Sequence, residues 1–281
     1  TVYRDTVFSA IIRKSDEELA EEAEKEKENP SAKKKIQPDA NRGIPQITDE
    51  QTGKELLERI RNVDFTVTEV SSKKGTEAPL RLFDLTSLQV ECNKKFSYSA
   101  DMTLQLIQSL YEKKVATYPR VDTTFLSDDI YPKCPKILEG LKDYAVYTTA
   151  LSGKPLIKSK KVFDNSKVTD HHAIIPTVEI ARTDLTELPS GERDVLTLLA
   201  VRLLCATTQA HRFETVTAML DCQRHTFTAK GKTILQSGWK EVERIHRMSI
   251  RQSETEHREN EDAALPVLKE GQTFETVSAS L

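Results

Sequence analysis

The spacing of apolar residues changes twice along this chain. Two apolar stripes with the period of an α-helix lie between residues 84 and 114. They consist of Leu85, Leu88 and Cys92 and of Met102, Leu106 and Leu110. Because Asp84 and Ser99 stand just before these stripes as candidate N-caps, the pattern predicts two consecutive helices.

Serine and proline positions predict where the next helices begin and where they break. Ser127 is expected to cap a third helix, whose first turns Pro132 and Pro135 break or kink. The longest helical pattern opens at Ser190 and continues to the end of the helical region. The helical domain is therefore predicted to span residues 79–209.

A short helix and a strand are predicted before this helical domain. Thr48 and Gln51 form a capping box, and the apolar pattern that follows them ends before Asn62. An extended segment starts at Phe65 and is expected to end in the polar run 71–75. The amino-terminal part thus combines helical and strand signals.

Beyond His211 the apolar residues alternate with polar ones, which is typical of strands. A turn is predicted at residues 230–232, and residues 265–278 repeat the strand pattern. Both β segments are expected to pair into one β-rich domain, formed by residues 1–78 and 210–281, with the helical domain inserted between them. The predicted fold class is α+β with more than one domain.

Composition and charge restrict the function classes. With 281 residues, of which 37% are hydrophobic, the chain can bury a sizeable core. Its net charge is −3, and eight carboxylates fall between Asp16 and Glu28. This run belongs to a charged segment at residues 15–42 that is expected to be an exposed insertion. Any attraction for phosphate is therefore expected from local basic patches rather than from the summed charge.

The cysteines and the apolar runs argue against two further classes of protein. The four cysteines, at positions 92, 134, 205 and 222, form no CxxC pair and find no matching pattern among the six histidines, so no zinc ribbon or other metal site is expected. Reduced thiols in a cytoplasmic protein are expected instead. No apolar run approaches the roughly 18 residues of a membrane span. Since the chain opens at Thr1 with a strand-like segment, it is expected to be a piece of a longer protein.

Candidate chemistry begins at Tyr118, which stands directly before Pro119 and Arg120. Proline pushes the preceding residue toward an extended conformation, so this tyrosine is expected to leave the preceding helix on a stiff backbone. A phenol with a pKa near ~10 is a weak nucleophile, and a nearby guanidinium offsets charge at an attacked phosphorus. The alternative is a buried tyrosine at a helix end beside a solvated arginine.

A second cluster lies downstream, where His171 and His172 precede an apolar segment that ends in Pro176 and Thr177. The loop before it contains Lys154, Lys158, Lys160, Lys161 and Lys167. A protonated imidazole can contact a phosphate oxygen while its apolar neighbours anchor the segment to a core. The alternative is that the two histidines face opposite sides of a strand, one buried and one exposed.

Three segments in this order resemble those of the type IA DNA topoisomerases, and most of all the topoisomerase III branch. They are DLTSLQVECNKKF at 84–96, LYEKKVATYPRVDTT at 110–124 and HHAIIPT at 171–177. Gly238-Trp239 follows them and is similar to a glycine-tryptophan strand of the family. The resemblance, from about Phe65 to Phe274, implies a helical cleavage domain inserted into a β-rich arch or hinge domain. Opening of that hinge would let another DNA strand pass.

The resemblance also implies roles for single residues. Tyr118 would attack a phosphodiester of single-stranded DNA and become linked to its 5′ phosphate. Arg120 would stabilise the crowded phosphate, and Asp122 would help to position the site. His171 matches a histidine that contacts DNA phosphate near the scissile bond. Further DNA contacts are expected from Thr123, Gln89, Lys160 and Lys161.

Two substitutions and one absence depart from the family pattern. Val121 stands where threonine is usual, and Thr123 stands where serine is usual. The metal-binding domain of the family, which holds Mg²⁺ through an acidic cluster, normally precedes these segments, and no segment of this chain resembles it. Mg²⁺ is therefore expected only in the full-length protein, bound by a domain absent from this chain, and the chain alone is expected to show little or no turnover.

The leading hypothesis is the strand gate of a type IA DNA topoisomerase, an isomerase that cleaves and rejoins single-stranded DNA without ATP. Its expected partners are single-stranded DNA and the metal-binding domain of the same protein, with no membrane, in a cytoplasmic, nucleoid-associated location. The alternative is a noncatalytic module that binds single-stranded nucleic acid, in which Tyr118 stacks on a base. A third hypothesis is a scaffold in which Arg120 and His171 are structural.

Overall fold

Helices and one sheet make up the part of the chain that the structure describes. This part comprises residues 8–14, 50–142, 147, 155–250 and 265–275 of a computed structural model. Within it, six α-helices accompany a five-stranded sheet, so the predicted α+β fold class is confirmed. The charged segment 15–42, Thr48 and Lys154 lie outside the described residues.

The helices and strands have the following bounds. The helices are α1 (Glu50–Ile60), α2 (Leu85–Phe96), α3 (Ala100–Glu112), α4 (Cys134–Leu138), α5 (Ser190–Ala206) and α6 (Trp239–Ile250). The strands are β1 (Ile11–Ile12), β2 (Phe65–Glu77), β3 (His211–Cys222), β4 (His225–Gln236) and β5 (Thr273–Phe274). Short 3₁₀ helices span Asp128–Lys133, Glu139–Leu141, Asn165–Lys167 and Val178–Arg182.

Two side-chain caps begin α2 and α3 where the sequence predicts them. The Asp84 carboxylate accepts a hydrogen bond from the Ser87 N–H at 2.7 Å, and the Ser87 hydroxyl accepts one from the Asp84 N–H at 3.1 Å. Ser99 accepts from the Met102 N–H at 3.1 Å. Each cap satisfies backbone donors that the first turn leaves without a partner. The caps therefore fix the register of the two helices that precede Tyr118.

The third predicted helix is broken, as its prolines indicate. The chain forms a 3₁₀ helix over Asp128–Lys133, with Pro132 inside it, and α4 starts only afterwards with Pro135 in its first turn. A proline has no N–H to donate and clashes with the preceding turn, so a continuous α-helix cannot pass through these positions. Ser127 begins this segment without a side-chain capping bond.

The predicted turn at residues 230–232 is wrong. Strand β4 runs without interruption through Gly231, which is buried. The reversal between β3 and β4 lies instead at Gln223 and Arg224, whose φ angles are 54° and 66°. Two successive positive φ values are the signature of a two-residue hairpin turn. The sequence hides this turn because neither residue is a glycine or an asparagine.

The predicted end of β2 in the run 71–75 is also wrong, because the strand continues to Glu77. Gly75 lies inside the strand, where the chain passes close to Phe213, and does not end the strand. A Cβ atom at this position would lie 2.4 Å from Cζ of Phe213, so only glycine leaves room for that ring in its present place.

Segments from both ends of the chain join one sheet, whose strand order is β1-β4-β3-β2-β5. Ile11 pairs with Thr228 in antiparallel register, and Phe65 pairs in the same way with Phe274. The predicted pairing of the two β ends is thus confirmed. The apolar core of this unit includes Val67, Ala218, Leu220, Phe227 and Ala229.

Backbone contacts divide the chain into two units. One holds the described residues of Thr1–Gly75, Phe213–Ile234 and Arg258–Leu281, and the other holds those of Thr76–Arg212 and Leu235–His257. The sequence placed all of 210–281 in the β-rich part, whereas α6 belongs to the helical unit. There, Trp239 and Val242 on α6 are buried in the larger apolar core. No helix among the described residues is long and apolar enough to span a bilayer.

The strand expected at Gly238-Trp239 is wrong, since α6 begins at Trp239. Gly238 has a φ of +56°, and a Cβ atom there would lie 2.4 Å from the carbonyl oxygen of Gln209. Backbone atoms cannot move aside as a flexible side chain can. Glycine is therefore required at the entry to α6 both for its φ angle and for this close approach.

We predict that Gly238→Ala destabilises the protein far more than Gly271→Ala. Gly271 also has a positive φ, of +80°, but a Cβ atom there meets nothing within 4 Å. Conformational strain alone costs about 1–2 kcal/mol, and the clash at Gly238 adds about 1–3 kcal/mol. Denaturant titration measures both variants, and equal losses of unfolding free energy would contradict the assigned contact.

Candidate active site

The segment that contains Tyr118 pairs with the segment that contains the two histidines. Ala116 and Pro176 form an antiparallel bridge, and the Thr177 N–H donates to the Val115 carbonyl at 3.0 Å. The Thr177 hydroxyl donates to the carbonyl of Lys114 at 2.6 Å. Residues far apart in the sequence are thereby held side by side by main-chain hydrogen bonds.

The histidine segment is fixed on its other side as well. The Ile174 N–H donates to the Phe83 carbonyl at 2.8 Å, and the Ala173 N–H donates to the Phe125 carbonyl at 2.9 Å. Residues 173–176 are all buried, so the apolar run anchors the segment as the sequence predicts. His171, at its start, is exposed, and His172 is half-buried.

Thr117 is a central residue of this pairing that sequence reasoning missed. Its N–H donates to the Ile175 carbonyl at 3.0 Å, and its hydroxyl oxygen accepts from the Ile175 N–H at 3.0 Å. The hydroxyl also donates to the Ala173 carbonyl at 3.4 Å. Its position directly before Tyr118 was the available signal, because a hydroxyl there can bond to a neighbouring backbone.

Tyr118 is half-buried, and two rings contact it. Tyr111, on α3, meets it edge to face with ring centroids 5.5 Å apart and an interplanar angle of 77°. The His171 ring is tilted by 36° against it with centroids 4.6 Å apart. These contacts restrict the ring without enclosing it. The structure thus brings together Tyr118 and His171, which the sequence selected separately.

An ion pair with a buried carboxylate holds the end of α3, just before Tyr118. Glu192, near the start of α5, is only 6% exposed, and its carboxylate pairs with the Lys113 ammonium. The Ser109 hydroxyl donates to the same carboxylate at 2.8 Å. A buried carboxylate needs such partners because burial without them is costly. After Lys113, the chain turns through Lys114, which has a φ of 65°.

A cavity of about 400 Å³ opens beside Tyr118. It is lined by Thr117, Tyr118, Ser127, Asn165, Val168, Thr169, Asp170, His171 and His172. Four of these residues, Asn165, Val168, Thr169 and Asp170, lie on the loop that leads to the two histidines, and the sequence assigned no role to any of the four. This volume lies within the roughly 300–1,000 Å³ that is typical of ligand pockets.

Arg120 and Asp122 are exposed beyond the edge of this cavity. Neither side chain has a hydrogen bond or an ion pair to any residue that the structure describes. Pro119 and Val121 are buried next to them, so the backbone is anchored while both charged groups face solvent. Both charges are therefore available to a bound molecule.

The other predicted DNA-contacting residues lie apart from the cavity lining. The Thr123 hydroxyl donates to the Lys167 carbonyl at 2.8 Å, so it holds the loop in place. The Gln89 amide donates to the Ala100 carbonyl at 3.1 Å and links α2 to α3. Lys160 and Lys161 are exposed. Their contacts with DNA stay predictions.

Arg202 on α5 is a further supporting residue that sequence reasoning missed. Its guanidinium lies 4.1 Å from the centroid of the Phe83 ring and donates to the Arg81 carbonyl at 3.0 Å. Burial lowers the pKa of this guanidinium, and Glu91 opposes the shift. Phe83 in turn accepts the backbone hydrogen bond from Ile174. Arginine side chains are mostly exposed to solvent, which is why the sequence alone did not mark this one.

The described residues do not supply a ligand set for the Mg²⁺ that the resemblance implies. Among them, no three His, Cys, Asp or Glu side chains come together in a way that could hold a metal ion. All four cysteines are buried as free thiols, and burial raises the pKa of Cys134 to about 12.

We predict that Thr117→Val weakens the pairing around Tyr118, whereas Thr117→Ser preserves it. Valine keeps the size of threonine but leaves the Ile175 N–H without its side-chain acceptor, at a cost of about 1–3 kcal/mol. Serine keeps the hydroxyl. Thermal and denaturant unfolding compare the three proteins, and equal stability of the valine variant and the parent protein would contradict this role.

Comparisons with known proteins agree with the sequence resemblance. The family model described as DNA topoisomerase matches residues 16–281. The protein named DNA topoisomerase 3 of Bacillus subtilis is 36% identical over 222 residues, which cover 78% of this chain and 30% of that protein. The DNA topoisomerase 3 of Bacillus cereus is 39% identical over 190 residues, covering 66% of this chain and 26% of that protein.

A solved structure shows the same fold. Full-length topoisomerase I from Thermotoga maritima matches with a TM-score of 0.58 at 19% identity, covering 82% of this chain and 35% of that chain. This chain thus spans about a third or less of the proteins it matches. The matched range and the identities confirm the resemblance, and the chain belongs to the DNA topoisomerase family.

Proposed function

We propose that this chain is the strand-gate part of a type IA DNA topoisomerase, an isomerase that acts on single-stranded DNA. One observation supports this most strongly. The Tyr118 ring is held by Tyr111 and His171 at the edge of an open cavity and is not sealed in the core. A structural tyrosine at a helix end would not need this access.

Tyr118 is the proposed nucleophile. Its phenolic oxygen attacks a phosphorus of the DNA backbone, the bond from phosphorus to the 3′ oxygen breaks, and a tyrosine–5′-phosphate bond forms. The phenol loses its proton, and the departing 3′ oxygen gains one. One phosphodiester replaces another, so the 3′ hydroxyl can reverse the reaction without ATP.

Arg120 and His171 are the proposed phosphate-binding groups. The guanidinium of Arg120 is exposed and has no partner among the described residues, so it can stabilise charge that develops on the attacked phosphate. The exposed imidazole of His171 lies against the Tyr118 ring, close to where that phosphate would be bound. Asp122 is proposed to position Arg120 or the DNA from the same exposed segment.

The wider activity belongs to the full-length protein. Hinge opening in the β-rich part, with the 5′ end still attached to Tyr118, is proposed to let a second DNA strand pass. Mg²⁺, bound by another domain of the same protein, is proposed as the cofactor of the complete enzyme. The proposed partners are therefore single-stranded DNA and that domain, in the cytoplasm and associated with the nucleoid, and the isolated chain is expected to show little or no turnover.

We predict that Tyr118→Phe in the full-length protein abolishes covalent attachment to DNA. Phenylalanine keeps the ring and its contacts with Tyr111 and His171 but lacks the attacking oxygen. A denaturing gel of the protein trapped with labelled single-stranded DNA measures the adduct, and peptide mapping identifies the attached residue. Affinity for the same DNA, measured by fluorescence anisotropy, is expected to stay within about twofold because most binding energy comes from phosphate contacts.

The same experiment separates this proposal from a noncatalytic binding module. Tyr111→Phe serves as the matched control, because it also removes one phenolic oxygen from the ring pair. This control is expected to retain the adduct. If the Tyr118→Phe protein still formed the adduct or relaxed supercoiled DNA, the assigned nucleophile would be wrong.

We predict that Arg120→Ala lowers the rate of adduct formation by about 10²-fold or more, since loss of one charge-stabilising donor typically costs this much. The melting temperature is expected to stay unchanged because the side chain has no described partner. Arg120→Lys keeps the charge and should recover part of the rate. A lower melting temperature with an unchanged rate would instead support the scaffold hypothesis.

A further inference from the structure

Among the residues that the structure describes, no lysine or arginine lines the cavity beside Tyr118, although a phosphate would be bound nearby. The described lining includes one carboxylate, that of Asp170, and a carboxylate repels a phosphate. Arg120, the exposed cation of the site, lies outside the lining. The part of the cavity lined by Asn165 and Asp170 therefore suits the uncharged part of a nucleotide, whereas the phosphate is proposed to lie at Tyr118 and His171.

Asn165 lines this cavity and carries hydrogen-bond donors on its side chain. The Asp128 backbone N–H, which can only donate, lies 2.7 Å from Oδ1 of Asn165. This contact fixes Oδ1 as the acceptor and orients the amide. The two hydrogens on Nδ2 have no partner among the described residues, so they remain available to a ligand.

His172 has a fixed tautomer in its neutral form. Its Nδ1 lies 2.7 Å from the Ala173 carbonyl oxygen, which can only accept, so Nδ1 carries the hydrogen. The Nε2 atom of the neutral ring is then an acceptor. Together with the Asp170 carboxylate and the Asn165 amide, the cavity offers both donors and acceptors.

We propose that this cavity is a nucleoside subsite, which takes the base of the nucleotide next to the phosphate that Tyr118 attacks. The subsite rests on the proposed function and adds recognition of the base to it. The Asn165 amide donates to a ring nitrogen, and the Asp170 carboxylate accepts from an exocyclic amine. Adenine and cytosine carry an amine beside such a nitrogen, whereas thymine carries no amine. The rings of Tyr118 and His171 supply a wall against which the base can stack.

The test maps where the full-length protein attaches to DNA in a pool of single-stranded oligonucleotides of random sequence. At one position next to the attachment point, adenine or cytosine is expected to be favoured over thymine by about tenfold, the effect of one good contact with a base edge. Asn165→Asp keeps the acceptor for the Asp128 N–H but loses both donors, so this preference should fall to about twofold or less. Asp170→Ala, which removes the acceptor, should lower it in the same way.

The control variant is Asn93→Asp. Asn93 is an exposed asparagine on α2 that donates to the Tyr98 carbonyl and does not line the cavity, so its replacement adds the same charge elsewhere. Its base preference should equal that of the parent protein. Thermal melting of every variant verifies that the fold is retained. An unchanged preference in both cavity variants, or no preference in the parent protein, would overturn the subsite.

A binding experiment separates this proposal from the proposed chemistry. The Tyr118→Phe protein makes no adduct but keeps the rest of the cavity, and its affinity for oligonucleotides that differ at one base is measured by anisotropy. If the parent protein formed no adduct while this affinity still depended on the base and on Asn165, the chemistry would fail and the subsite would stand. If the protein formed adducts without any base preference, the chemistry would stand and the subsite would fail.

Discussion

The main-chain pairing between the Tyr118 segment and the histidine segment is the constraint on which the site depends. Thr117 bonds to Ile175 through both its backbone and its side chain, so the tyrosine and the histidines take their positions from the same few hydrogen bonds. Each such bond contributes only about 0.5–1.5 kcal/mol net. Acting together and anchored by a buried apolar run, they hold two segments that the sequence separates widely.

Buried and exposed charges have different tasks in this helical unit. The Glu192 carboxylate, paired with Lys113, and the stacked Arg202 guanidinium stabilise the backbone around the site. Glu192 and Arg202 need their partners because both side chains are largely removed from water. Arg120 and Asp122 stand on an anchored backbone without described partners. A charge that is already paired has little to offer a ligand, so Arg120 and Asp122 are better suited to contact the proposed DNA substrate.

Local signals made much of the fold predictable from the sequence. The caps at Asp84 and Ser99, the prolines after Ser127 and the alternation beyond His211 each depend on neighbouring residues, and each prediction was confirmed. The wrong predictions arose where contacts between residues far apart in the sequence determine the local structure. Gly75 resembles a strand end but makes room for the Phe213 ring on another strand. Gly238 stands before a helix, where the Gln209 carbonyl, far away in the sequence, leaves no room for a side chain. The same limit hid Thr117, Arg202 and Asn165, whose partners lie on other segments.

The distribution of charge around Tyr118 has a consequence for how a DNA strand can be held. Phosphate contacts supply affinity that does not depend on sequence, while contacts with base edges supply discrimination. Here the exposed Arg120 is not among the residues that line the cavity, and the described lining contains no lysine or arginine, so phosphate contacts and base contacts can involve different side chains. A strand gate of the proposed kind, which would cut at many places, needs affinity without strict specificity. A single open subsite with few polar groups meets that need, because it biases the place of cleavage without forbidding the others.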